Sequence, residues 1–356
     1  MSLRSVILGT GSHIPDQIVG NKLFESHQFY EADGTKVYRR NDSIISKFAE
    51  ITGIQERRYA TAEQNASHLG LLAAQSAIES ASIDAETIDY IIVAHNFGDV
   101  SLNSNRTSQV PSLASRIKAM LAIDNPDCVA YDLLFGCPGW IEGVIHADCF
   151  IRSGKAKRCL IVGCETLSRV IDPHDRDSMI FADGSAAMIL EGRSAVENGI
   201  LSHKTKTYAS QSHLLRMDSS NSDFTDDQKD IFLKMNGRKV YEFALTNVPL
   251  VIKEVIESAG LHLSDIKKVL VHQANDKMDQ AILERLFKLY NQSEIPHNIM
   301  PMTIAWLGNS SVATVPTLLD LICRNQLAGH VFRQGDHIIM ASVGAGMNIN
   351  ALVYKY

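Results

Sequence analysis

D-L-L-F-G-C-P-G-W, residues 132–140, joins an apolar strand pattern to a helical one. The strand is read as Cys128–Leu134, C-V-A-Y-D-L-L. Beyond it, apolar side chains recur at Ile141, Val144, Ile145, Cys149 and Phe150, a helical period. The spacing predicts a helix from Pro138 to Arg152 that stops at Ser153-Gly154. Pro138 suits the first turn, where its missing N–H costs no hydrogen bond. Cys137 is thereby placed at a helix N-terminus. Unpaired N–H groups and the positive end of the dipole favour a thiolate there, so the sulfur is expected to be nucleophilic near neutral pH. Without this context a free cysteine is read as a small buried hydrophobe.

The same alternation continues on both sides. Strands are predicted at Val6–Gly9, Ile88–Ala94, Cys159–Gly163, Ala186–Leu190, Val269–His272 and His337–Ser342. Helices are predicted at His68–Ala81, Pro111–Leu121, Val240–Ser258, Asn275–Tyr290 and Ser311–Arg324. This order implies an α/β fold with largely parallel sheets covered by helices. E-G-R-S-A-V-E-N-G, residues 191–199, breaks the pattern and divides the chain into 1–195 and 196–356. Residues 26–43 and the polar stretch 203–230 read as loops.

Composition narrows the function class. The 356 residues exceed one small core, with 45% apolar and 21% charged residues as in ordinary soluble proteins. A net charge of −6 argues against nonspecific nucleic-acid binding. No apolar run approaches the ~18 residues needed to cross a bilayer. The opening M-S-L-R-S-V-I-L-G-T-G runs directly into a strand and lacks the plan of a signal peptide. The six cysteines form neither a disulfide framework nor a C-x-x-C metal pair, so a reducing cytoplasm and no metal are expected. G-T-G at residues 9–11 lacks the third glycine of a dinucleotide fingerprint, and Pro15 interrupts the helix that should follow.

Two further polar residues stand at junctions like that of Cys137. His272 ends the strand of V-L-V-H-Q-A-N, residues 269–275. Asn309 lies in W-L-G-N-S-S-V-A-T-V-P, residues 306–316, before another helical run. Active sites of α/β proteins collect at such places. Cysteine with histidine pairs a nucleophile with a base in general, and asparagine adds a neutral N–H donor.

With these residues in order, the chain resembles the β-ketoacyl-acyl-carrier-protein synthase III family of thiolase-fold condensing enzymes. The resemblance rests on Cys137, His272-Q-A-N and Gly308-Asn309. V-I-L-G-T-G-S-H-I-P near the start, I-T-G-I-Q-E-R-R at 51–58, F-A-D-G-S-A-A at 181–187 and G-A-G-M at 344–347 extend it over essentially the whole chain. It implies two similar βαβαβαββ halves stacked as a five-layered α/β/α/β/α sandwich, normally in a homodimer. It implies acylation of Cys137 by an acyl thioester, usually acyl-CoA, then decarboxylative condensation with malonyl on acyl carrier protein, as in fatty-acid biosynthesis. His272 and Asn309 would donate hydrogen bonds to the second substrate's thioester oxygen. Backbone N–H groups of Cys137 and Ala345 would form the other oxyanion hole, with Ala345 standing where a glycine is usual. No cofactor is implied.

The chain also departs from that family. Lys47 stands near the place of a tryptophan that stacks on the CoA adenine, while the opposing arginine is matched by Arg176. Val110 replaces a phenylalanine that closes the acyl pocket across the dimer, which implies a primer longer than acetyl. Asn275 and Lys277 fall where CoA or the carrier is met, Lys277 at the place of an arginine. These departures keep open a specialised polyketide or unusual-lipid enzyme, or an acyltransferase, with a longer or non-CoA donor. A hydroxymethylglutaryl-CoA-synthase-like chemistry would need a carboxylate base, for which Glu142 is poorly placed. A non-catalytic subunit would not need to retain Cys137, His272 and Asn309, and a redox role for Cys137 would leave the other two unexplained.

Overall fold

Two sheets carry the chain, each built around the apolar runs of the sequence. They are seen in a computed structural model that describes residues 3–222 and 230–356. The first part holds β1 (Arg4–His13), the short pair β2 (Gln17–Gly20) and β3 (Glu56–Tyr59), and β4 (Tyr90–Ala94). It continues with the pair β5 (Asp99–Val100) and β6 (Thr107–Ser108), then β7 (Val129–Leu133), β8 (Arg158–Thr166) and β9 (Asp183–Arg193). Its helices are α1 (Asn41–Thr52), α2 (Ala66–Ala81), α3 (Leu113–Met120) and α4 (Gly139–Arg152). The second part holds β10 (Gly199–Thr207), the hairpin β11 (Leu215–Asp218) and β12 (Phe232–Met235), β13 (Ile266–Val271), β14 (His337–Gly344) and β15 (Asn348–Lys355). Its helices are α5 (Gly237–Ser258), α6 (Asp276–Lys288), α7 (Ile304–Leu307) and α8 (Thr314–Cys323).

The first sheet has the order β1-β9-β8-β4-β7 and the second β10-β15-β14-β13. In the first, β7, β4 and β8 are parallel and β9 runs against both neighbours. In the second, β13 and β14 are parallel and β15 runs against both of its neighbours. The two orders match except for one missing edge strand. In its place a segment near Ile299 gives β13 one backbone hydrogen bond, Val269 N–H to Ile299 C=O at 2.9 Å. Pro296 and Pro301 flank it and remove ladder donors on both sides.

Five layers follow from the packing. Helices α2 and α3 cover the outer face of the first sheet through Ala73, Ala77, Leu113 and Ile117. Helices α5 and α6 cover the outer face of the second through Val251, Val255, Ile282 and Leu286. Between the sheets lie α4 and α8, packed on Ile92, Ile161 and Met188 from one side and Leu270, Ile338 and Met340 from the other. A helix clamped by two sheets is apolar on more than one face. Accordingly α8 is buried from Thr314 to Ile322, and α4 buries Trp140, Ile141, Val144, Ile145 and Ile151. Each such aliphatic side chain contributes roughly 1.5–3 kcal/mol on burial. Cys149, assigned from the sequence to the apolar stripe of α4, is instead exposed at the helix edge.

Several loops expected from the sequence contain structure. The 26–43 stretch runs into α1, whose stripe Ile44, Phe48 and Thr52 has the i, i+4, i+8 spacing of a buried face. The 203–230 stretch contains the end of β10 and all of β11, while residues 223–229 lie outside the described residues. The outer part of β10 is polar, and its pairing with β15 rather than apolar alternation makes it a strand. Gly9 and Gly11 sit inside β1, where a β-carbon would overlap the backbone of α2 at Ala81 and Ala77. That glycine pair serves helix–sheet contact. Among the described residues, no helix is long and apolar enough to cross a membrane.

Candidate active site

Strand β7 ends at Leu133, and the chain turns through Gly136 into α4. Gly136 has φ +68°, and a β-carbon there would stand 2.7 Å from the backbone nitrogen of Ala345. Gly344 is equally constrained: its β-carbon would lie 2.6 Å from the nitrogen of Cys137. Glycine is the residue that permits both approaches. The chain after β14 is thus pressed against the turn carrying Cys137. Among the described residues, no turn or loop carbonyl accepts the backbone N–H groups of Cys137 and Ala345.

Helix α4 begins at Gly139, with Pro138 as its N-cap, so Cys137 lies just outside the helix. The expected thiolate is opposed by its surroundings. Burial pushes the thiol from 9.0 up to about 11, and a hydrogen bond from Ser311 pulls the other way. Ser311 Oγ lies 3.3 Å from Cys137 Sγ. Burial and the helix end thus act on the sulfur in opposite directions.

Asn309 reaches this corner through Gly308. That glycine has φ +66°, and a β-carbon on it would meet the Arg57 side chain at 2.8 Å. Asn309 is held by its own backbone: its N–H donates to Ile180 C=O, and its C=O accepts from Ala182 N–H. Its Oδ1 accepts the Ser311 N–H at 2.8 Å. With the oxygen so occupied, the NH2 end of the amide is the free donor face.

His272 follows β13, its N–H bonded to Ala341 C=O on β14. Three residues farther along, β14 ends at the Gly344 that touches Cys137. His272 is 3% exposed, and its Nδ1 has no partner. Burial lowers its pKa from 6.5 to about 4, so the ring is neutral near pH 7. The next residue, Gln273, links this strand end to the asparagine segment. Its Oε1 accepts N–H groups of Thr303 at 2.8 Å and Ile304 at 2.9 Å, and its Nε2 donates to Pro301 C=O at 2.8 Å. Those residues lead through α7 straight to Gly308-Asn309. No hydrogen bond joins His272 to Cys137 among the described residues.

Behind Ser311 stands a buried polar chain. Asn96 Nδ2 donates to Ser311 Oγ at 3.1 Å and to Glu165 Oε1 at 2.5 Å. Burial pushes the Glu165 carboxyl from 4.5 up to about 8. Neighbouring His95 holds the loop in place: its Nδ1 accepts Gly98 N–H at 3.0 Å, so its Nε2 proton faces Asp132 at 2.9 Å. Asp132 in turn accepts the Leu113 and Ala114 N–H groups that open α3. Asn96, Glu165, Gln273 and Ser311 escaped the sequence reading. The rule that found His272 also fits Asn96 and Glu165, polar residues just beyond or at the end of apolar strands.

A cavity of about 200 Å³ opens on Cys137, Ser311 and Ala345. Phe97, Leu167, Phe181, Leu215, Met217 and Leu233 give it apolar walls. The last three belong to the β11–β12 hairpin, which buried Lys234 ties to Asp172 at 2.5 Å. A larger cavity of about 370 Å³, beside Arg169 and Asp172, does not reach Cys137, and the position of the thiol makes the smaller one the candidate site.

The remaining sequence candidates lie elsewhere. Val110 is 89% exposed and outside the cavity of its own chain. Arg176 is bound bidentately by Glu31, at 2.8 and 3.1 Å. Asn275 caps α6, its Oδ1 accepting Met278 N–H at 3.1 Å. Lys277 lies 3.5 Å from Glu50, which also binds Lys47 at 3.0 Å. Glu142 accepts from Thr205 Oγ1 at 2.6 Å. Among the described residues, no cluster of three or more His, Cys, Asp or Glu side chains is placed to hold a metal.

Known proteins share this layout. Models of the 3-oxoacyl-acyl-carrier-protein synthase III family match residues 131–209 and, for its C-terminal region, 256–356. The β-ketoacyl-acyl-carrier-protein synthase III 1 of Vibrio vulnificus is 32% identical over 354 residues, spanning 99% of both chains. The chain belongs to the β-ketoacyl-acyl-carrier-protein synthase III family. The synthase III of Prochlorococcus marinus is 30% identical, across 98% of this chain and 96% of that one. The solved synthase III of Aquifex aeolicus superposes with a TM-score of 0.80 at 28% identity, covering 99% of this chain and all of its own. A priming β-ketosynthase from a polyketide pathway gives 0.80 at 26% identity, covering 99% of this chain and 96% of that chain. Like the synthase III family as a whole, this chain is an acyltransferase of the condensing type with the thiolase-like layered fold.

Proposed function

We propose that Cys137 is the nucleophile of a decarboxylative condensation and that His272 and Asn309 serve its second half. The observation that carries the reading is the junction of Gly136-Cys137 with Gly344-Ala345, which sets two backbone N–H groups without a turn or loop carbonyl partner beside a thiol at an apolar cavity. In the first half, the sulfur attacks the carbonyl of an acyl thioester. The new C–S bond forms, the donor's C–S bond breaks, and the departing thiolate takes up a proton. The N–H groups of Cys137 and Ala345 stabilise the oxyanion.

In the second half, malonyl on acyl carrier protein loses CO2. The electron pair of the broken C–C bond moves into an enolate. Neutral donors suit that charge: His272 through Nε2–H and Asn309 through its NH2 group. The enolate carbon then attacks the acyl-cysteine, forming a β-ketoacyl thioester and releasing the cysteine sulfur. The halves 1–195 and 196–356 thus supply the nucleophile and the donors respectively. Exposed Val110 supports a homodimer in which that residue closes the pocket of the other copy. Lys277 and Lys47 share one carboxylate, Glu50, and so keep a net positive charge for an acidic carrier. The reading includes a cytoplasmic setting and needs neither metal nor redox cofactor.

The pairing of Arg176 with Glu31 favours a second reading of the donor: an acyl group longer than acetyl or not carried on CoA, as in specialised lipid or polyketide pathways. Both readings are tested by incubating the protein with a chain-length series of acyl-CoAs and acyl carrier proteins and measuring intact mass. An adduct absent from Cys137→Ala, followed by CO2 release and product with malonyl carrier protein, is expected. Absence of an adduct with every donor overturns the condensing mechanism. Strict preference for acetyl-CoA overturns the second reading.

A further inference from the structure

We propose that Ser311 is a third side chain acting on the reacting sulfur, and that Asn96 and Glu165 are the residues that position it. The proposal deepens the reading above and rests on it for the role of the sulfur. Ser311 Oγ contacts Cys137 Sγ at 3.3 Å. Its hydroxyl accepts a hydrogen bond from Asn96 Nδ2 at 3.1 Å. An amide nitrogen only donates, so the Asn96 contact occupies a lone pair of the hydroxyl and leaves its proton for the sulfur. The second N–H of that amide is fixed by Glu165 Oε1. Each group orients the next in one direction, from Glu165 to the thiol.

Two observations argue against an incidental contact. Ser311 has φ +53°, a conformation uncommon for a residue with a β-carbon, and its own N–H is spent on Asn309 Oδ1 at 2.8 Å. One residue therefore orients the asparagine with its backbone and the cysteine with its side chain. The thiol is also pushed up by burial, so a donor to sulfur is needed wherever a thiolate must form. During acylation the new C–S bond forms as the donor's C–S bond breaks, and the proton lost by the Cys137 sulfur passes, through solvent, to the leaving thiolate. Ser311 keeps its own proton and holds the sulfur's charge.

The test is alkylation of Cys137 by iodoacetamide in the full-length protein, followed by peptide mass across a pH series. Exposed Cys149 is the internal control. Ser311→Ala and Ser311→Gly are each expected to slow alkylation of Cys137 about tenfold at neutral pH, the size of a lost hydrogen bond to a charged group. The same loss moves the profile up by about one pH unit. Glycine tolerates the positive φ, so the second variant keeps the fold if alanine does not. Asn96→Ala should shift the profile in the same direction by less. Glu165→Gln, which keeps an acceptor for the Asn96 amide, should stay within about twofold of wild type.

A pH profile for Cys137 unchanged in both folded Ser311 variants overturns the proposal, since a purely structural role moves melting temperature instead. Iodoacetamide requires no acyl donor. A Ser311 effect on alkylation without any acyl adduct would therefore sink the condensing mechanism while leaving the hydrogen bond standing.

Discussion

Gly344 approaches Cys137 so closely that a β-carbon on the glycine would lie 2.6 Å from the cysteine nitrogen. The last strand of the parallel pair in the second sheet thereby sets the position of a residue that belongs to the first. Gly344→Ala must push the two segments apart. A displacement of order 1 Å at a reacting centre costs about 10²-fold in rate. Condensation should fall by that factor with the melting temperature less affected. Steady-state kinetics beside thermal unfolding checks it, and unchanged kinetics would remove Gly344 from the account.

His272→Ala and Asn309→Ala should separate the two halves of the reaction. In the proposed mechanism each removes one neutral donor from the enolate, a loss typically of about 10²–10³ in rate. Decarboxylation of malonyl carrier protein should drop by that amount while Cys137 still takes up an acyl group. Loss of the acyl adduct in either variant would mean that these residues serve the first half instead.

The buried imidazole predicts an acid limb. Its folded pKa is lowered from 6.5 to about 4 by burial. A depressed value means that the stability it contributes is present above 6.5 and lost as pH falls toward 4. Thermal unfolding should therefore show wild type losing ground to His272→Asn across that window. A gap that widens with rising pH instead would reverse the assignment.

Glu165 predicts the opposite trend. Burial raises its folded pKa from 4.5 to about 8. The stability of its protonated form is complete below 4.5 and is lost as pH rises toward 8. Relative to Glu165→Gln, the wild-type melting temperature should fall across that range. A constant difference would show that the carboxyl does not change its protonation on folding.

Lys234 secures the wall of the cavity. It contacts Asp172 at 2.5 Å, Asp175 at 3.2 Å and Asn221 at 2.7 Å, with Asp172 fully buried. Removing one partner of a buried pair leaves an uncompensated charge and costs about 3–5 kcal/mol. Lys234→Met should lower the melting temperature and loosen acyl-length selectivity, because Leu215, Met217 and Leu233 ride on the same hairpin. Selectivity that is untouched despite lower stability would take the hairpin out of substrate choice.

The alternation of apolar strands and amphipathic helices, and with it the layered α/β class, is legible in the order of the residues alone. Burial of an apolar face leaves a local period, so β4, β8, β13, α2 and α5 were legible within a residue or a few of their ends. Polar residues closing apolar runs marked Cys137 and His272 as candidates in the same way, and the motif around Gly308-Asn309 marked a third candidate. Relations between segments far apart in the chain emerge only once the layers are packed. Burial pushes the Cys137 thiol up, and no local pattern records how much water is excluded. Ser311 meets Cys137 across 174 residues, and Gln273 braces the segment leading to Asn309. Arg176 pairs with Glu31, 145 residues away in the chain. β10, whose outer part is polar, is a strand because β15 pairs with it. Periodicity encodes which face of an element is buried; the partner on that face is set only when the layers close.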